Sequence, residues 1–122
     1  MKIVACNEIK KILVAARNKI SDPNCWIQEQ SAEDENGDFV HPSSDKACCW
    51  CAMGAIRSVF PEGTETEFFE TAADEQMFNA AVNFFAQFIW IDDIVKFNDN
   101  SKTTHAGVIS AFDVAIAAFK PT

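Results

Sequence analysis

The chain has no tyrosine, although it carries 11 phenylalanines and 3 tryptophans. Its aromatic residues therefore mostly lack a polar handle, which assigns many of them to a core or a dry interface. Glycine is scarce as well, with 4 residues scattered along the chain, so no Gly-rich phosphate loop can form. Basic residues are outnumbered, 10 against 18 acidic ones, for a net charge of -8. That balance speaks against non-specific binding to nucleic acid or to an anionic membrane surface. Long apolar runs are missing too. The uncharged stretch QMFNAAVNFFAQFIWI falls short of the ~20 apolar residues of a membrane span and is interrupted by amides.

The opening residues MKIVACNEIKKILVAARNKI carry charges throughout, which does not suit a secretory signal. The 5 cysteines are Cys6, Cys25, Cys48, Cys49 and Cys51. An odd number with three crowded together is not a disulfide framework. Free thiols in a reducing, cytoplasmic setting are expected.

What is present suits one domain over residues 1–122. A chain of this size buries roughly two-thirds of its unfolded surface without staples. Residues 2–20 are amphipathic, with Ile9, Leu13, Ala16 and Ile20 at helical spacing, and Ser21-Asp22-Pro23 ends the helix. Asn36-Gly37 predicts a hairpin with a type I′ turn, flanked by extended residues from Trp26 onward. Ser44 or Asp45 then caps a helix running to Phe60, whose inner face carries Cys48, Cys51, Ala52, Ala55 and Val59. Gly54 inside it costs up to about 1 kcal/mol relative to alanine, which implies close approach by another backbone.

Thr64 and Glu67 form a capping box for a further helix, with Glu67, Glu70 and Asp74 on its solvent face. Residues 76–91 follow as a Phe-rich helix with two apolar stripes and an amide stripe of Gln76, Asn79, Asn83 and Gln87. The amides either face water or, with neighbouring phenylalanines, form a partner or homodimer surface. Residues 92–104 are read as a loop. Thr103 or Thr104 caps a last helix whose inner face is Val108, Ile109, Phe112, Ile116 and Phe119. The expected fold is mainly α: four to five helices with a small β-hairpin or extended loop near residues 26–41.

Chemistry has few footholds. Cys48-Cys49-x-Cys51 lacks the C-x₂-C spacing of structural zinc sites, and free cysteines are usually small buried hydrophobes. No metal or other cofactor is expected. A cysteine nucleophile would need a histidine and a group to orient it; Cys51, His105 and Asp99 are the candidates for a hydrolase or transferase. Trp26, Trp50 and His105 are candidates for lining a small-molecule pocket. Carboxylates concentrate in two places, residues 29–38 and 62–75. They suit either a solvated face or a protein partner with a basic surface.

Several short pieces carry a resemblance. The segments DPNCW, DENGDFVHPSSDKACCWCAMGAI and FNDNSKTTHAGVISAFDVAIAAF together resemble a family of small uncharacterised phage and bacterial proteins, a domain of unknown function. Its pattern falls on Asp22, Pro23, Trp26, Gly37, Trp50, Cys51, Gly54, Ala55, Asn98, Asp99, Thr104 and His105. Phe97 stands where the family has tryptophan, and the Phe-rich middle is unmatched. The resemblance implies no activity. It does imply that the Cys51 helix and the 98–105 segment belong together, as a polar latch in which Asn98 and Asp99 brace and His105 bonds Asp99. It also suggests a phage context, in which a small acidic protein would inhibit a host or bacterial-defence protein by covering its surface. The residues expected to bind are Trp26, Trp50, Asn98, Asp99, His105, Glu67, Glu70, Asp74, Asn79 and Asn83.

Overall fold

The apolar spacing of the first segment becomes a helix, α1 (Lys2–Lys19), which buries Ile12, Leu13 and Ala16, with Ile20 buried just beyond it. A computed structural model describes residues 2–64, 67–91 and 93–119; the side chain of Cys6 lies outside what is described. After α1, a 3₁₀ turn (Pro23–Cys25) is capped by Asp22, whose carboxylate accepts the Asn24 N–H at 2.8 Å. Pro at its first position has a fixed φ and no N–H to lose. Two short strands, β1 (Ala32–Glu33) and β2 (Cys49–Trp50), pair antiparallel in the register Ala32↔Trp50 and Glu33↔Cys49. Four helices follow: α2 (Ala52–Arg57), α3 (Ala72–Ala86), α4 (Ile94–Asp99) and α5 (His105–Ala117). The mainly-α fold with a small two-stranded element is thus as expected.

Helix α1 packs against α2, α3 and α5, and α2 also meets α3 and α4. Fully buried alanines (Ala16, Ala52, Ala55, Ala81 and Ala115) let the helices approach, and Leu13, Ile20, Ile56, Phe85, Val108 and Phe112 fill the space between them. Phe85 and Phe112 lie with ring centroids 4.5 Å apart, in the tilted contact that aromatic quadrupoles favour. At the surface Arg17 donates to Asp113 at 2.9 and 3.4 Å, tying α1 to α5. Its exposure limits its worth to about 0–1 kcal/mol.

Several local expectations change. The helix expected from Ser44 or Asp45 begins only at Ala52. Cys49 and Trp50 are extended because β1 offers them a ladder, and the thiol of Cys51 caps the helix by accepting the Gly54 N–H at 3.2 Å. Ser44 instead closes a turn, accepting the Lys46 N–H at 3.1 Å. The turn at Asn36-Gly37 is not type I′, since among its residues only Gly37 has positive φ (84°). Asp34 builds it, one carboxylate oxygen taking the N–H groups of Asn36 and Asp38 at 2.9 and 3.0 Å.

The helix expected from the Thr64–Glu67 box starts later, at Ala72, where the Thr71 hydroxyl accepts the Asp74 N–H at 3.0 Å. Thr64 does accept the Glu67 N–H, at 3.1 Å, ahead of that helix. The loop expected over 92–104 contains α4. Asp93 caps that helix by accepting from the N–H groups of Val95 and Lys96. Thr104 caps α5 as expected, accepting the Gly107 N–H at 3.1 Å.

Candidate functional site

Helix α4 is only six residues long, yet it buries Ile94, Phe97 and Asn98. The first two anchor it in the core. The third, wholly buried, is the hub of a polar cluster. The Asn98 Oδ1 accepts the Trp26 indole N–H at 2.6 Å and the Ala52 backbone N–H at 2.9 Å. Ala52 opens α2, so its N–H is one of the donors that a helix start leaves without an intrahelical partner. The Asn98 Nδ2 donates to Ile27 O and to Asp99 Oδ1, both at 3.0 Å. An asparagine amide has two donors and two acceptor positions, and all four are used.

Asp99 extends the cluster. Its Oδ1 also accepts the Glu29 N–H at 2.8 Å. Glu29 sits at φ 76°, where a residue with a Cβ incurs roughly 1 kcal/mol or more. The charge-assisted bond from Asp99 offsets that strain. Gln28 Nε2 donates to the carbonyls of Asn98 and Asn100 at 2.9 and 3.2 Å. Residues 26–29 are thereby stitched to α4, and both are joined to the start of α2.

His105 belongs to a neighbouring contact. Its Nε2 meets Ile20 O at 2.6 Å rather than Asp99. A carbonyl only accepts, so Nε2 carries the proton. This bond ties the start of α5 to the end of α1, and the ring lies 6.1 Å from that of Trp26. The expected latch therefore exists in two parts: Asn98 and Asp99 brace the 26–29 segment, and His105 anchors a different one.

Cys51 is buried at 5% exposure. Burial pushes its thiol above the ordinary value, against the opposing pull of the Gly54 N–H, and the Asp99 carboxylate raises it further. A cysteine nucleophile needs the opposite shift. Among the described residues no hydrogen bond joins Cys51 to His105; Cys51 Sγ accepts the Gly54 N–H and His105 Nε2 donates to Ile20 O.

The two tryptophans are likewise occupied. Trp26 serves Asn98, and Trp50 Nε1 donates to Pro42 O at 2.9 Å while Lys19 lies 4.9 Å over its ring. His105 borders an open groove on α5 with Ser21, Ile109 and Asp113. Asn79 and Asn83 are exposed on α3, as are Glu67 and Glu70 before it. Asp74 is half-buried in the first turn of α3, where its charge favours the Arg57 cation.

Arg57 is the residue that sequence pattern missed. Absent from the inner face that the apolar spacing gives its helix, it is nevertheless 2% exposed. Its guanidinium donates to the carbonyls of Phe60, Pro61 and Phe68 at 3.1, 3.1 and 2.7 Å and to Ser43 Oγ at 3.3 Å. It also lies 4.7 and 4.2 Å from the ring centres of Phe68 and Phe69. The only signal available was a lone arginine inside the apolar run GAIRSVF.

His41 stacks 5.7 Å from Phe68, and burial, with Arg57 nearby, lowers its pKa. The His41–Phe68 contact and the Ser43 bond to Phe60 O link the stretch just after the first acidic segment to Phe60 and Phe68. Phe39 and Phe68 stand 63% and 61% exposed, the first next to Asp38 in the chain and the second next to Glu67. Neither phenylalanine was singled out by the sequence pattern.

A family model described as a family of unknown function, DUF6197, matches residues 6–118. No curated protein and no solved structure matches the chain.

Proposed function

Because the chain belongs to this family of unknown function, its activity must be argued from its own geometry, and we propose that it is a non-enzymatic module that binds a protein with a basic surface. One observation carries the proposal: two largely exposed phenylalanines, Phe39 and Phe68, flank carboxylates in the chain, and His41, two residues from Phe39, contacts Phe68. Exposed aromatics set in a charged rim suit the anchors that dominate binding energy. The surrounding carboxylates would speed encounter with a cationic partner and exclude anionic ones. The polar residues of the buried cluster contribute indirectly, by holding the scaffold on which this face is displayed. In the phage setting that the sequence resemblance suggests, such a module would inhibit its target by covering that target's basic surface.

The test uses variants that leave the core alone. Phe39, Glu35 and Asp38 are exposed, and no side chain of the three makes a described hydrogen bond. Wild type, Phe39→Ser and Glu35→Lys/Asp38→Lys serve as baits for cellular protein at low salt and at about 0.5 M salt. Wild type should retain a partner at low salt. Phe39→Ser should weaken that partner's affinity by about 10-fold or more, as loss of a binding anchor does. Charge reversal or high salt should release it. Retention unaffected by both variants, or no retained protein at all, would contradict the proposal.

A further inference from the structure

Adjacent residues of an extended chain send their side chains to opposite faces. Cys48 and Cys49 depart from this, with sulfurs 3.8 Å apart. Pairing with the neighbouring strand explains the departure. The Cys48 N–H donates to Glu33 O at 2.9 Å just before β2, and Cys49 stands opposite Glu33 in the ladder. The Cys48 thiol reaches Glu33 O at 3.6 Å, and the Cys49 thiol reaches Asn24 O at 3.3 Å. The two sulfurs also lie within hydrogen-bond distance of each other, and either thiol can donate. Cys48 is exposed and Cys49 half-buried, so the pair is open to solvent.

We propose that Cys48 and Cys49 form a two-thiolate site for a soft, thiophilic divalent metal ion. Two thiolates bound at about 2.3 Å to a tetrahedral ion stand about 3.8 Å apart, which is the separation observed. Thiolates favour soft ions over magnesium or calcium.

Binding forms two sulfur–metal bonds, releases two protons and moves no electrons. Among the described residues no group of three His, Cys, Asp or Glu side chains is placed to hold an ion. The remaining coordination positions therefore go to water, making this an open, exchangeable site rather than a closed structural one.

Cadmium(II) is the probe, added to the reduced full chain and followed by thiolate-to-metal ultraviolet absorbance and native mass spectrometry. One ion per chain is expected. Cys48→Ser and Cys49→Ser should each weaken it by at least about 100-fold, since loss of even an outer-shell partner costs 10–100-fold. Cys25→Ser and Cys51→Ser should leave affinity within about threefold. Release of two protons predicts an affinity that rises about 100-fold from pH 6 to pH 7. The proposal fails if no ion binds, if the Cys48→Ser/Cys49→Ser double variant still binds one, or if Cys25→Ser is as damaging as Cys48→Ser. Circular dichroism of each variant separates loss of the site from loss of the fold.

Discussion

Replacing Asn98 by alanine is expected to lower the unfolding free energy by about 4 kcal/mol, much of the roughly 5–15 kcal/mol that holds a small domain together. Three groups lose their partner at once: the Ala52 N–H, the Trp26 indole N–H and the Ile27 carbonyl. Each buried polar group left without a partner costs about 1–3 kcal/mol. The loss is structural at three points, because these groups belong to the start of α2, the 3₁₀ turn's exit and the segment that follows it. Urea denaturation should show a large fall in midpoint. A fall of less than about 1 kcal/mol would show that water or rearrangement replaces the bonds.

Asn98→Asp separates hydrogen bonding from shape. One oxygen still accepts from Trp26 and Ala52, but the other now faces the Ile27 carbonyl and the Asp99 carboxylate. Repulsion and burial would raise the folded-state pKa of the new carboxyl above its unfolded value. The folded state then binds more protons than the unfolded one, so stability relative to wild type falls as pH rises. The variant should be about as damaged as Asn98→Ala at pH 7 and should recover part of the loss toward pH 4.

The second large effect is at Gly54. Alanine is the better helix former by about 1 kcal/mol, so propensity alone predicts stabilisation. Packing predicts the reverse. A Cβ at Gly54 would overlap the backbone carbonyl of Ser31, which also accepts the Cys51 N–H at 3.2 Å. No side chain can rotate away, so α2 would have to separate from the Ser31 backbone. Gly54→Ala should lose about 3 kcal/mol, the upper range for overpacking. Gly107→Ala is the matched control, because the nearest atom to its new Cβ is the Thr104 hydroxyl at 3.4 Å. It should be neutral or slightly stabilising. Equal effects at the two glycines, read from urea midpoints, would contradict the assigned packing.

The close approach at Gly54 was legible in the sequence because a glycine inside an apolar helical pattern needs a reason. So were α1 and α5, whose apolar spacing is long enough to identify a period. Residues 48–52 were not, because Cys48, Cys51, Ala52 and Ala55 fit a helix face equally well whether or not the first of them are extended. Only the ladder to Ala32 and Glu33 decides the matter, and that partner lies far away in the chain. Helix α4 escaped for a different reason. Six residues cannot display a period, and its stability comes from the Asp93 cap and the burial of Ile94, Phe97 and Asn98.

The polar residues show the same division. Trp26, Asn98 and Asp99 were drawn into one pattern and do meet. His105, from that pattern, goes to Ile20 O, a backbone atom that carries no side-chain signature. Arg57 was unreadable because its partners are almost all carbonyls, which every residue possesses. Its role follows from the carbonyls of Phe60, Pro61 and Phe68, which converge on the guanidinium.

We propose that Cys51, Asn98, Asp99 and His105, which look like parts of an active site, act as fasteners. Alkylation of the native protein by iodoacetamide, followed cysteine by cysteine with peptide mass spectrometry across pH, tests it most directly. Exposed Cys48 should react first, and buried Cys51 should be modified only at the rate at which the protein opens. Selective modification of native Cys51 near neutral pH, at the rate of a free thiolate, would contradict the account and mark Cys51 as a nucleophile.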